Sequence, residues 1–251
     1  AAVTSAAGAT RSPAARAATT TLAASTTAAS GSSLRRVRSD VAVLFDLDGV
    51  IVDSRPYHLS AWHQLAREAA LAHAPGYFTR TFGLRNEPII RGLDPEIDAG
   101  RLRELAERKE QLFRAAAREE LELLPGVREL LAFLDEQDVP KTVVTSAPRA
   151  NLDMVVETLR IGGHFQALIA EEDAAQGKPD PEGFLVAASR VGVKPACCIV
   201  IEDAPAGLQA AKSGGMRAIG VTTTHPAPDL GDADLVVDSL AEEIVRRFIL
   251  G

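Results

Sequence analysis

The stretch Val41-Ala-Val-Leu-Phe-Asp46-Leu-Asp48-Gly49 decides the fold. Five apolar residues run without a break and stop at an acid, with a second acid two residues later and a glycine behind it. An apolar run this short, with no polar alternation, reads as a strand buried on both faces, as in a parallel sheet. The acids then fall in the loop at its carboxyl end, where open parallel sheets bind their ligands.

The pattern alternates from Pro125 onward. Periodicity predicts helix 127–137 before strand 141–144, helix 149–159 before strand 167–170, helix 181–191 before strand 198–201, and helix 206–213 before strand 217–221. Helix–strand alternation with short connections predicts an α/β fold, a Rossmann-like parallel sheet with helices on both faces. Between the first strand and this array lies a helical stretch. Tyr57, Ala61, Leu65 and Ala69 recur every fourth residue, and Leu102, Leu105, Leu112, Phe113 and Ala116 trace a second stripe. The division expected is a core of residues 40–55 and 123–251 and an inserted α-helical cap of residues 56–122.

Residues 1–39 differ in composition. They are rich in Ala, Ser and Thr, hold five arginines and contain no Asp or Glu. This is the composition of an organelle transit peptide, chloroplast in the first reading and mitochondrion in the second; a disordered tail of a cytoplasmic protein is the alternative. Without those five arginines, 22 basic residues face 34 acidic ones, a formal charge of −12 for residues 40–251. So acidic a body argues against a nucleic-acid partner, which needs a basic surface. No apolar run approaches the ~20 residues of a membrane span. The two cysteines, Cys197 and Cys198, are adjacent and make neither a structural zinc site nor a ready disulfide.

Four polar clusters fall after predicted strands: Asp46-Leu-Asp48-Gly49, Thr145-Ser146, Gly177-Lys178-Pro179 and Glu202-Asp203. Together they place several acids, one lysine and one hydroxyl in a single site. Carboxylates at close quarters repel and need a divalent cation to coexist. Oxygen ligands without His or Cys favour Mg²⁺. Lys178 and Thr145 then supply positive charge and a donor to a phosphoryl group. There is no GxSxG elbow and no GxxxxGK[ST] loop.

These clusters resemble the four motifs of the haloacid dehalogenase superfamily. Phe45-Asp46-Leu-Asp48-Gly49-Val-Ile-Val-Asp53-Ser54 is similar to the first, Val143-Val-Thr145-Ser146 to the second, Lys178-Pro179 to the third and Ile201-Glu202-Asp203-Ala-Pro-Ala-Gly207 to the fourth, in order over residues 41–240. The resemblance implies that Asp46 attacks phosphorus and becomes an aspartyl phosphate, and that Asp48 is the acid–base. It implies that Thr145 and the Ser146 N–H hold the phosphoryl group and that Lys178 bridges nucleophile and phosphoryl. The implied Mg²⁺ ligands are Asp46, the Asp48 carbonyl and Asp203, with Glu202 alongside.

The cap segments Tyr57-His58-Leu-Ser-Ala61-Trp62 and Arg108-Lys109-Glu110 resemble those of β-phosphoglucomutase and its sugar-phosphatase relatives, which would bring His58 and Lys109 to the cleft. Phe82-Gly83-Leu84-Arg85-Asn86-Glu87 resembles the substrate-specificity loop, making Arg85 a substrate-binding candidate. Mutases of this type place the Arg three residues after the Gly. Here it lies two after, which leans toward a phosphatase. The expected activity is therefore Mg²⁺-dependent hydrolysis of a small phosphate ester, a sugar or polyol phosphate. A phosphosugar mutase is the first alternative and a non-catalytic binding protein on this fold the second.

Overall fold

A computed structural model describes residues 40–251. The transit-peptide reading of residues 1–39 lies outside the described residues. In chain order the regular elements are β1 (Ala42–Phe45), α1 (Arg55–Glu68), α2 (Tyr77–Arg80), α3 (Asn86–Leu93), α4 (Ala99–Ala117), α5 (Val127–Glu136), β2 (Lys141–Val144), α6 (Arg149–Leu159), β3 (Ala167–Ile169), α7 (Glu182–Val191), β4 (Cys198–Glu202), α8 (Pro205–Ser213), β5 (Arg217–Val221), β6 (Leu235–Val237) and α9 (Glu243–Leu250).

The six strands form one parallel sheet in the order β3-β2-β1-β4-β5-β6. Strand β1 is central, and the chain moves outward from it on one side before crossing to the other. Its side chains alternate between two cores. Val43 and Phe45 join the cluster that includes α1, α4, α5, α6 and α9, while Ala42 and Leu44 join that of α7 and α8. Burial on both faces explains why the run carries no polar alternation. The same division holds in β4, with Ile199 and Ile201 on one side and Cys198 and Val200 on the other.

Strand β3 ends at Ile169, one residue short of expectation, and β6 and α9 complete an array that the periodicity left unassigned. Helices α1–α4 lie between β1 and β2, with α1 and α3 packed on α4. Trp62 of α1 stacks on Phe78 of α2 with ring centroids 5.3 Å apart. The chain enters and leaves this helical block side by side: Val52 bridges Leu123, and the Leu124 N–H donates to Ile51 O at 2.9 Å. Gly126 follows at φ +87°, where a Cβ would lie 2.1 Å from the Ala241 nitrogen. Backbone conformation and close approach together demand glycine there. Among the described residues no helix is long and apolar enough to cross a membrane.

At the amino-terminal end of β2, buried Lys141 holds one polar feature of the core. Its Nζ donates to Asp135 Oδ1 at 2.6 Å and to Val139 O at 3.2 Å, and His164 Nδ1 lies 2.5 Å from Asp135 Oδ2. Partial burial pushes the Asp135 carboxyl upward, but the bonds from Lys141 and His164 outweigh it and hold it below its usual range. A depressed folded-state acid adds stability above its unfolded titration range and loses it as the pH falls through the folded one. Asp135→Asn is therefore expected to cost about 1–2 kcal/mol at pH 7. The deficit should shrink when the pH is lowered below 4, as thermal unfolding of the two proteins across pH would measure. A deficit constant with pH would mean that packing, not charge, is lost.

Candidate active site

The carboxyl ends of β1, β2 and β4 and the loop after β3 converge. Asp46 follows β1, Thr145 follows β2, Lys178 sits beyond β3 and Glu202 closes β4, with Asp203 next. Asp46, Thr145, Glu202 and Asp203 are all buried. Lys178 Nζ lies 2.5 Å from both Asp46 Oδ1 and Glu202 Oε1. The other oxygen of Glu202 accepts from the N–H groups of Asp203 and Ala204, at 3.0 and 3.1 Å. The Thr224 hydroxyl donates to Asp203 Oδ2. Thus Asp46 Oδ2 and Asp203 Oδ1 accept no hydrogen bond among the described residues.

Two glycines make room for these acids. A Cβ on Gly49, at φ +85°, would fall 1.9 Å from Asp203 Oδ2, and one on Gly207 would fall 1.8 Å from Glu202 Oε1. The packing leaves the acids with one nearby ammonium. Burial pushes Asp46 up to about 8, aided by Glu202 and Asp48 and resisted by Lys178. Burial, Glu202 and Asp46 likewise raise Asp203 well above the carboxylate range. Lys178 is raised: burial opposes its charge, but Asp46 and Glu202 prevail.

Asp46, Glu202 and Asp203 each offer an oxygen within 4.8 Å of the others. An all-oxygen donor set, buried, short of positive charge and with two unclaimed oxygens, fits a hard divalent cation such as Mg²⁺. The Asp48 carboxylate is not part of this cluster, so any share it has in a metal site runs through its main-chain carbonyl.

Asp48 instead belongs to a second set of contacts. Ser54 donates to its Oδ1 at 2.5 Å and Thr145 to its Oδ2 at 3.4 Å. His58 Nε2 approaches Oδ1 at 3.6 Å. Burial alone would push Asp48 up, yet His58, Ser54 and Lys109 together hold it below the usual range. Behind His58 stands Lys109, its Nζ 2.8 Å from His58 Nδ1 and 2.8 Å from Glu110 Oε1. An ammonium only donates, so Nδ1 accepts and Nε2 carries the proton toward Asp48. Burial and the Lys109 charge lower His58 and favour its neutral form. Phe113 stacks on the imidazole at 3.8 Å.

Glu110 then ties α4 to its neighbours, accepting from Asn86 at 2.7 Å and Asn151 at 2.5 Å. Ser54, Asn86, Glu110, Asn151 and Thr224 had no assigned role in the sequence reading. Ser54 lies in the first motif and Asn86 and Glu110 in the quoted cap segments, so these were open to assignment; Asn151 and Thr224 are brought in by tertiary packing.

Arg85 reaches the core instead of lying free in the cleft. Its Nη2 donates to Glu171 O at 3.2 Å and Ala174 O at 3.0 Å, and Nη1 to Ala175 O at 3.4 Å. The side chain lies against Gly177, where a Cβ would stand 2.7 Å from Arg85 Nε. His58, Trp62, Phe82, Asn86 and Lys109 line a pocket beside Asp48, whose core-side wall is Ser146, Ala147 and Pro148.

The chain is similar to known proteins in sequence and in fold. The family model described as haloacid dehalogenase-like hydrolase matches residues 41–215. The chain is 32% identical over 205 residues to the chloroplastic 5-amino-6-(5-phospho-D-ribitylamino)uracil phosphatase of Arabidopsis thaliana, covering 80% of this chain and 55% of that protein. It is 37% identical to the β-phosphoglucomutase of Bacillus subtilis, covering 78% of this chain and 88% of that one. A haloacid dehalogenase hydrolase of family IA, variant 3, from Entamoeba histolytica superposes with a TM-score of 0.76 at 25% identity, over 83% of this chain and 97% of that one.

Proposed function

Since the chain belongs to the haloacid dehalogenase-like hydrolases, we propose that it hydrolyses a small phosphorylated metabolite, a sugar or polyol phosphate, through an aspartyl phosphate on Asp46. The observation that carries this reading is Lys178, which bridges Asp46 and Glu202 beneath a carboxylate with one oxygen unclaimed.

Asp46 attacks phosphorus as the bond to the leaving oxygen breaks, and the Asp48 carboxyl gives that oxygen its proton. Asp48 is ionised while the site is empty of substrate. The negative phosphoryl group beside it favours the protonated form, so it enters the reaction as an acid. Water then attacks the phosphorus of the aspartyl phosphate and passes its proton to Asp48. The bond to Asp46 breaks, inorganic phosphate leaves and both acids are restored. Thr145, the Ser146 N–H and Lys178 hold the phosphoryl oxygens. His58, oriented by Lys109, faces Asp48 and steadies its charge. Asp46, Asp203 and the Asp48 carbonyl, with Glu202 beside them, would hold Mg²⁺, which would supply positive charge against the phosphoryl oxygens.

Residues 56–122 act as the cap over a core of residues 40–55 and 123–251, hinged where the two chain crossings bridge. Residues 1–39 direct the chain to a chloroplast, a reading supported by their composition and by the chloroplastic location in the Arabidopsis relative's name. A fluorescent fusion of residues 1–39 checks it. Import into mitochondria, or none, overturns it.

A panel of sugar, polyol and nucleoside monophosphates, assayed for released phosphate with Mg²⁺, tests the activity. Silence across the panel sinks the hydrolase reading. Conversion of β-glucose 1-phosphate to glucose 6-phosphate, without phosphate release, replaces it with the mutase. Excess chelator is expected to remove at least 90%, on the order of all, of the activity, and added Mg²⁺ to restore it. Ca²⁺ should fail to replace Mg²⁺, because its looser coordination disturbs in-line geometry. Undiminished turnover in chelator removes the metal from the mechanism.

A further inference from the structure

We infer that the pocket beside Asp48 admits leaving groups that are neutral and hydroxyl-bearing, and discriminates against a second phosphate on the substrate. The inference rests on the phosphatase reading and adds the class of substrate to it.

Among the described residues lining the pocket, three side chains can carry positive charge: His58, Arg85 and Lys109. Each already has partners, and the one Arg85 nitrogen without a hydrogen bond, Nε, is itself buried. Lys109 is buried against Glu110 and His58, both at 2.8 Å, and its Nζ lies 5.2 Å from the centre of the Trp62 ring. Arg85 is held by three main-chain carbonyls and lies 3.6 Å from the Glu171 carboxylate. His58 meets Lys109 with one ring nitrogen and Asp48 with the other. Two anions, Asp48 and Glu110, line the same space.

Of the core-side wall, Ser146 alone brings a side-chain donor, a neutral hydroxyl, and none of the three residues brings a cation. Ala147 and Pro148 carry no polar side-chain atom, Pro148 has no N–H, and the Ala147 N–H already donates to Thr145 Oγ1 at 3.0 Å. The next residue, Arg149, gives its main-chain N–H to Glu172 and its guanidinium to Asp173 and the Leu168 carbonyl. A second phosphate would thus lose its hydration, gain no free cation and face Glu110.

A polyol or sugar fares differently. Trp62, Phe82 and Ile89 offer apolar surface to its C–H faces. Asn86 donates its amide N–H to Glu110, and its carbonyl oxygen accepts no hydrogen bond among the described residues, so a substrate hydroxyl can donate to it.

The test pairs sugar monophosphates with the matching bisphosphates, beginning with fructose 1-phosphate and fructose 1,6-bisphosphate, and reads phosphate released by the full chain with Mg²⁺. The expected kcat/KM favours the monophosphate by roughly 10–100-fold, the cost of a charged group left without its partners. Glu110→Gln releases Lys109 from its counter-charge. It is expected to raise the bisphosphate-to-monophosphate ratio by about tenfold, whereas a merely structural role would lower both substrates together.

Equal turnover of the pair by the wild-type chain overturns the inference and leaves the phosphatase reading standing. Turnover of p-nitrophenyl phosphate but of no sugar or polyol ester overturns the hydroxylated leaving group. Absence of phosphate release from every ester, p-nitrophenyl phosphate included, overturns the phosphatase reading and the inference with it. Should Glu110→Gln not fold, the wild-type ratio decides.

Discussion

Asp46→Asn is expected to lower turnover of every phosphate ester by on the order of 10⁴-fold or more, because an amide cannot attack phosphorus and no other group stands in its place. The fold should survive, for a reason visible in the electrostatics. Asp46 is the acid pushed up to about 8 by burial, Glu202 and Asp48. Removing its charge relieves repulsion in the metal-free protein, and Lys178 keeps Glu202 as a partner at 2.5 Å. Thermal unfolding in chelator should therefore show the variant equal to the parent or more stable, while phosphate release is lost. The two readouts move apart, which distinguishes a lost nucleophile from a damaged protein. Phosphate release within tenfold of the parent, on the order of ordinary variation for a binding residue, would end the covalent mechanism.

What the sequence made legible follows a physical line. Asp46 and Glu202 could be found because each ends an apolar run, and the first polar residue after a run buried on both faces marks the strand's end. Register then brings them together: β1 pairs with β4 from Ala42↔Cys198 to Phe45↔Ile201, so the residues after Phe45 and Ile201 are neighbours. Lys178 was legible only from its place in a loop beyond a predicted strand, since a lysine between glycine and proline carries no periodic signal.

The network behind Asp48 was less readable. Helix α4 alternates charged and apolar residues, and periodicity alone would let Lys109 and Glu110 be solvated. They are buried because α4 packs against both α1 and α6, and Asn151, which accepts that packing, lies 41 residues away in the chain. The destination of Arg85 was also hidden. Its place on the loop before α3 follows from sequence, but its partners are carbonyls of residues 171–175, and any sequence presents carbonyls there. Strand β6 has three residues at the sheet edge, of which Val237 alone is fully buried, too short a run for alternation to register.

Lys178→Met is expected to be the most damaging single change to the metal-free fold, at about 3–5 kcal/mol, the cost of breaking a buried ion pair from one side. Methionine keeps most of the unbranched stem against Phe184, whose ring centre lies 5.3 Å from Lys178 Nζ, so little packing is lost. What is lost is the ammonium between two carboxylates that have surrendered their water. Asp46 and Glu202 are nearly inaccessible, and the remaining donors, the N–H groups of Asp203 and Ala204, serve Glu202 alone. A cation bound among Asp46, Glu202 and Asp203 would repair part of this deficit, because it returns positive charge to the same oxygens. Mg²⁺ should therefore raise the melting temperature of Lys178→Met more than that of the parent, even as turnover falls by roughly 10³-fold through loss of the charge that meets the phosphoryl group. Calorimetry with and without Mg²⁺, beside phosphate release, measures both effects. A variant as stable as the parent in chelator would show that the acids do not depend on Lys178 for their burial, and an Mg²⁺ effect no larger than the parent's would place the cation elsewhere.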